Sequence, residues 1–152
     1  MKVAFDSNIL VYLAMVWRVD SDRAKTATIE NLLRRWPDTA PPVVPFQVLG
    51  EAYNVMQRYG YTREKCRETV LDWTTNFETV ASSEQAFLSA IDLATDHKLQ
   101  FWDALIINAA ADAGCQMLLS EDLQAGFVWR GLRVVNPFAP ELDQRLSRLL
   151  AG

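Results

Sequence analysis

Cysteine is scarce in this 152-residue chain: Cys66 and Cys115 stand far apart and lack the spacing of a zinc site or a redox motif. Both are expected to stay reduced and to pack as small hydrophobes. Long apolar runs are missing as well. The longest, residues 9–17, is about half of what a membrane span needs. Asp6 interrupts the N-terminal stretch before a signal-peptide core could form, so the expectation is a soluble, cytoplasmic protein with no membrane partner. Glycine and proline are few and scattered, six of each, and no linker, low-complexity run or internal repeat divides the chain. Positive charge is also in deficit. With 15 Lys and Arg against 19 Asp and Glu, the net charge of −4 argues against holding nucleic acid by bulk electrostatics alone. It leaves room for a site whose acids are gathered together and neutralised by a divalent cation.

What is present is apolar material, half of the composition, enough for one globular domain over residues 1–152 with a real core. Residues 2–5 are β-capable and end abruptly at the polar turn Asp6-Ser7-Asn8. Residues 9–16 continue as an apolar helix. Asp20-Ser21-Asp22 offers caps for a helix with Ala24, Thr28, Leu32 and Trp36 at helical intervals up to Pro37. A proline-bounded strand over 41–45 leads into a helix over 46–59, striped by Val48, Ala52, Val55 and Tyr59 and stopped by Gly60. Thr62 caps the next helix, with Cys66, Val70, Trp73 and Phe77 on its inner stripe. A small strand over 77–80 follows. Ser82 and Gln85 have capping-box spacing for a helix carrying Phe87, Ile91 and Ala94. Residues 102–113 read as an almost wholly apolar helix stopped by Gly114. Strands over 117–120 and 132–135 and a tail helix over 140–150 complete the chain. Short unbroken apolar strands alternating with helices predict an α/β domain with a central parallel sheet.

Four acids have surroundings unlike those of the solvated Glu64, Glu68, Asp72 and Glu78. Asp6 ends the first strand, where ligands of open parallel sheets gather, although it is equally placed to cap the following helix. Asn8 either supports a ligand or closes an Asx turn. Glu51 sits at the edge of an apolar stripe, where a half-buried carboxylate needs a cation, a proton or a partner such as Arg58. Asp103 shares its helical face with Ile107 and Ala110 in a first turn that favours negative charge. Asp122, with Ser120, ends another strand and could face the crevice of Asp6 or simply form a polar turn, while Glu121 should point away. If these acids converge, their repulsion raises carboxylate pKa values, and Mg²⁺ or Mn²⁺ removes the conflict. A cation so held activates water against a phosphodiester.

The segments Val-Ala-Phe-Asp6-Ser7-Asn8-Ile-Leu, Glu51 in a mid-chain helix, Phe-Trp-Asp103-Ala-Leu-Ile and Leu-Leu-Ser120-Glu-Asp122-Leu-Gln resemble the acidic motifs of PIN-domain ribonucleases. The ending Leu132-Arg-Val-Val-Asn136-Pro137-Phe138 resembles many bacterial VapC-type toxins. The resemblance implies a Rossmann-like three-layer α/β/α sandwich with a parallel sheet of about five strands. It implies Mg²⁺- or Mn²⁺-dependent RNA hydrolysis to a 5′-phosphate and a 3′-hydroxyl. Asp6, Glu51, Asp103 and Asp122 would be the catalytic, metal-holding acids, and Asn8 and Ser120 their polar supports. A homodimer and a cognate antitoxin covering the acidic groove are implied as partners. One departure is Gln124, where some relatives carry a further acid. Arg18, Arg23, Arg63 and Arg130 are candidates for gripping phosphate, His97 is expected to be structural or at the surface, and the five tryptophans, Trp102 included, are expected in the core. Two other readings compete: a haloacid-dehalogenase-type phosphatase, which would need an Asp where Asn8 stands, and a non-catalytic metal-binding module. A receiver domain fits poorly, since Asp6 and Glu51 are badly placed and no lysine follows Lys98.

Overall fold

A computed structural model describes the chain from Met1 to Gly152. Strand β1 (Lys2–Phe5) leads through α1 (Ser7–Leu13) and α2 (Asp22–Arg34) to β2 (Val43–Pro45). Helices α3 (Phe46–Arg58) and α4 (Arg63–Asn76) precede β3 (Glu78–Val80), and α5 (Glu84–His97) and α6 (Phe101–Asp112) precede β4 (Cys115–Leu119). The short β5 (Val128–Trp129), β6 (Leu132–Val135) and α7 (Gln144–Ala151) end the chain.

These strands form one sheet in the order β3-β2-β1-β4-β6-β5. All pairings are parallel except the β5–β6 edge, so the five parallel strands expected from the sequence gain a sixth, two-residue antiparallel one. From β1 the chain steps through β2 to β3, then crosses back to place β4 on the other side of β1. Right-handed crossovers running in opposite directions put α1–α4 on one face and α5–α6 on the other. That is an α/β/α sandwich. The order reverses between β1 and β4, and their carboxyl ends flank the crevice where such sheets bind ligands.

The sheet is buried because its strands are apolar on both faces: Val3, Ala4, Phe5, Val43, Val44, Met117, Leu118 and Leu119 are all enclosed. Phe5 meets Trp36 edge-on at 5.3 Å and Phe77 at 5.9 Å, tying α2 and the start of β3 to the central strand. Leu146 and Leu150 of α7 join the same core cluster. Gly60 at φ +100° and Gly114 at φ +83° end α3 and α6 in the left-handed conformation expected of helix-stopping glycines. Both cysteines are free and buried, and burial pushes the Cys115 thiol up to about 12, which leaves it unreactive.

Several sequence-derived details are corrected. The buried face of α2 is Thr26, Ile29 and Leu32, not the Ala24 and Thr28 line. The cap candidate Asp22 turns back instead, its Oδ2 accepting from the backbone N–H of Arg18 at 2.9 Å. The cap of α5 is Ser83, one residue beyond the capping-box serine: its Oγ accepts from Ala86 N at 3.0 Å and also donates to Asp112 Oδ2 at 3.3 Å at the end of α6. That tertiary link fixes the helix start. On α5 the buried line is Ala86, Ala90 and Leu93, while Phe87 and Ile91 face solvent, because small residues let α5 lie close against α6. Trp102, expected in the core, is 52% exposed. No helix is long and apolar enough to cross a membrane.

Candidate active site

At the end of β1 the chain turns directly into α1, and Asp6 is that helix's N-cap, its Oδ1 accepting from Ser7 N at 2.7 Å. The alternatives of cap and site residue therefore coexist. Its Oδ2 accepts from Ser120 Oγ at 2.8 Å and lies 3.3 Å from Asn8 Nδ2. Asn8 Nδ2 also lies 3.2 Å from Ser120 Oγ and 3.3 Å from Asp122 Oδ2, and its Oδ1 accepts from Glu121 N at 3.2 Å. Ser120 Oγ in turn accepts from Asp122 N and Leu123 N, both at 3.2 Å. One buried amide and one buried hydroxyl thus lock the ends of β1 and β4 together and hold Asp6 and Asp122 side by side. The Asn8 and Ser120 side chains divide their bonds between the two acids and the backbone of the loop after β4.

Asp6 is only 4% exposed. Burial is the main force raising its carboxyl to about 6; the hydrogen bonds from Ser120 and Ser7 oppose it, and Asp103 and Asp122 add repulsion. Glu51, half-buried on α3, is also raised, first by burial, then by Asp6, with hydrogen bonds from Ser7 and Gln47 opposing. Gln47 Nε2 reaches Glu51 Oε1 at 3.4 Å, and no ion pair joins Glu51 to Arg58. Asp103, in the first turn of α6, is raised by burial and then by Glu51 and Asp122. Its carboxylate has no hydrogen-bond donor in the protein.

All four acids line a single cleft of about 420 Å³, together with Ser7, Arg18, Asn54, Val55, Arg58 and Gln100. The expected convergence is therefore present, although no three His, Cys or carboxylate side chains stand close enough to enclose an ion by themselves. An open ring of hard oxygen donors fits Mg²⁺, which keeps several waters and binds through one or two carboxylates plus substrate phosphate rather than in an all-protein cage. Gln124 lies elsewhere, lining an apolar cavity with His97 and Phe127. Of the arginine candidates only Arg18 reaches the cleft. Arg130 pairs with Asp112 at 3.0 Å, and Arg23 covers the Trp17 ring at 4.6 Å. Sequence reasoning missed Ser7, Asn54, Arg58 and Gln100 as cleft residues. The signal for two of them was there: Asn54 and Arg58 stand three and seven positions after Glu51, on its own helical face.

Glu121 does turn away from the cleft, and to a purpose. It accepts hydrogen bonds from Tyr12 Oη and Lys25 Nζ, and Lys25 lies 5.1 Å above the Tyr12 ring. Burial, then the Glu121 hydrogen bond, pushes the Tyr12 hydroxyl up to about 12. This network clamps the loop that carries Asp122 onto α1 and α2. Lys25→Ala is expected to lower stability by roughly 1–2 kcal/mol, since it strips a charge-assisted hydrogen bond from a partly buried carboxylate. A urea midpoint equal to that of the wild type would show that the clamp carries no such energy.

Fold and cleft together define an α/β/α protein of the Rossmann-like class with a carboxylate-lined site at the point where its strand order reverses. Residues 3–126 match the PIN domain family model, and the chain belongs to that family. Solved structures with the same fold include a toxin–antitoxin complex from Klebsiella pneumoniae, 21% identical over 91% of this chain and 98% of that one, with a TM-score of 0.65. VapBC2 from Rickettsia felis, bound to a DNA fragment from its promoter, is 17% identical over 90% and 98%, at a TM-score of 0.63. VapC20 from Mycobacterium tuberculosis, a toxin that cleaves the sarcin–ricin loop, is 17% identical over 77% and 87%, at 0.62. No curated protein matches the sequence.

Proposed function

We propose that this chain is a Mg²⁺- or Mn²⁺-dependent endoribonuclease and the toxin of a VapBC-like toxin–antitoxin pair. The observation that carries this reading is the shared cleft of Asp6, Glu51, Asp103 and Asp122 beyond the ends of β1 and β4. Those four residues would hold the cation. The chemistry a bound Mg²⁺ or Mn²⁺ supplies is Lewis acidity toward phosphoryl oxygen and easier ionisation of water. Asp6 and Asp122 are orienting acids, kept in place by Ser7, Ser120 and Asn8. Asp103 and Glu51 are less pinned, and burial raises their proton affinities above those of ordinary carboxylates, which suits accepting the proton of an attacking water. The phosphatase alternative gains no support, since Asn8 stands where a second Asp is needed and its amide holds the acids in place.

Residues 1–152 act as one domain on this reading, in keeping with the packing of α7 into the common core beyond the family match. The partners are RNA, a cognate antitoxin as in the Klebsiella and Rickettsia complexes, and a second copy of the chain, all in the cytoplasm. The exposed Phe87, Leu88, Ile91 and Trp102 support an association surface.

The direct test is incubation of antitoxin-free protein with cellular RNA in Mg²⁺, Mn²⁺ or chelator. Cleavage to 5′-phosphate ends in the metals alone is the expected result. No cleavage of any RNA would leave the non-catalytic module as the better reading. Cation binding also has a thermal signature. Mg²⁺ at about ten times its dissociation constant should raise the melting temperature by about 4 °C, because it binds the native state alone. The shift should vanish in Asp103→Asn; an equal shift there would place the cation elsewhere.

A further inference from the structure

The cleft is two-sided. Besides the four acids it is lined by Arg18 and Arg58, both exposed, with the amides of Asn54 and Gln100. Attraction to the acids would be the default for two guanidinium groups beside four carboxylates, yet neither pairs with one. The ion pairs of the molecule are Lys2–Glu78, Lys25–Asp22, Lys25–Glu121, Lys65–Glu68 and Arg130–Asp112. Neither guanidinium donates a hydrogen bond to any protein group. Arg18 instead rests over the Tyr59 ring, 5.9 Å from its centre, and Tyr59 is 47% exposed.

The backbone explains the separation. Glu51, Asn54 and Arg58 share one face of α3, and at 1.5 Å per residue Arg58 stands about 10 Å further along than Glu51. Arg18 arrives on the segment between α1 and α2, which is fastened to the far end of α3 by the hydrogen bond from Tyr61 Oη to Ala14 O. Positive charge is thereby held at the C-terminal end of α3, where the helix dipole also favours it, and the acids stay at the strand ends. An unpaired guanidinium fork matches phosphate oxygens in pairs, and an exposed tyrosine with an arginine stacked on it offers a surface to an unstacked base.

We infer that Arg18, Arg58 and Tyr59 form a strand-holding subsite, in which the guanidinium groups take the phosphate and the tyrosine ring takes the base of the nucleotide next to the one at the acids. The inference rests on RNA being the substrate. It deepens that reading by specifying single-stranded or unstacked RNA and by fixing which wall of the cleft the flanking nucleotide follows.

The test is binding of a short single-stranded oligoribonucleotide in chelator, where metal-dependent cleavage does not proceed, followed by fluorescence anisotropy across a salt series. Arg18→Ala/Arg58→Ala is expected to weaken binding by about tenfold or more and to flatten the salt dependence, by about 0.7 in logarithmic slope for each phosphate no longer neutralised. Arg58→Lys keeps the slope that Arg58→Ala loses. Tyr59→Ala weakens binding with the slope unchanged. Arg148→Ala, which removes an equal charge from α7 beside Met1, leaves both quantities as in the wild type. In the cleavage assay the double variant raises KM more than it lowers kcat. Wild-type affinity and slope in the double variant overturn the subsite even if the protein cuts RNA. Arginine-dependent binding without any cleavage leaves the subsite standing and removes the ribonuclease reading.

Discussion

Asp103→Asn is expected to lower RNA cleavage by about a thousandfold while the protein stays folded, the loss typical of removing a positioned proton acceptor. The choice of residue matters. Asp103 is half-buried, faces Glu51 and Asp122, and accepts no hydrogen bond from the protein, so its replacement by a neutral isostere leaves nothing unsatisfied. Asp6→Ala, by contrast, would leave Ser7 N and the Ser120 hydroxyl without their acceptor, at about 1–3 kcal/mol for each buried donor, while Asn8 Nδ2 keeps Asp122. Asp6→Asn is the cleaner second variant. Expression of the wild-type chain without an antitoxin should slow growth, and both variants should relieve it at equal soluble yield. Retained cleavage by folded Asp103→Asn would remove this residue from the site and leave the chemistry to the other acids.

The second large effect is a pH-dependent stability that runs in an unusual direction for a carboxylate. Asp6 is raised from 3.8 to about 6, so the folded protein binds its proton more tightly than the unfolded chain does. Its contribution is fully favourable below about pH 4 and is lost as pH rises through about 6. The total is roughly 2–3 kcal/mol, the free-energy equivalent of the difference between those two pKa values. Glu51 and Asp103, also raised, act in the same sense. Urea unfolding in chelator at pH 4 to 8 should therefore show Asp6→Asn gaining on the wild type as pH rises, with the gap closed at the acid end. Adding Mg²⁺ at pH 8 should narrow the gap by restoring the wild type, since a cation relieves what the proton relieved. A gap that does not change with pH would mean that Asp6 is ionised at no cost, through hydrogen bonds stronger than its burial.

Much of the cleft was legible because its acids violate local rules. A carboxylate at the end of an apolar strand, as at Asp6 and Asp122, or on an apolar helical face, as at Asp103, has no reason to be there except a ligand, a cap or a turn. Glu51 was legible only as an edge residue of a stripe. Arg58 was visible in the same helix but read as a partner for Glu51, because an i, i+7 pair on one face looks local; the intervening cleft keeps them apart. The buried side of α5 was misread for a related reason. Phe87 and Ile91 are its larger apolar residues, but the face that packs is set by how closely α6 approaches, and that selects Ala86 and Ala90.

The sequence by itself determined the five parallel strands, the helices and which four acids break local rules, since periodicity, caps and the cost of a misplaced charge act over a few residues. Only the tertiary structure decided that residues 6, 51, 103 and 122 meet, that Asn8 and Ser120 hold the meeting point, and that two arginines stand apart from them. Those outcomes follow from strand order and from the distances between elements far apart in the chain, for which local sequence carries no ruler.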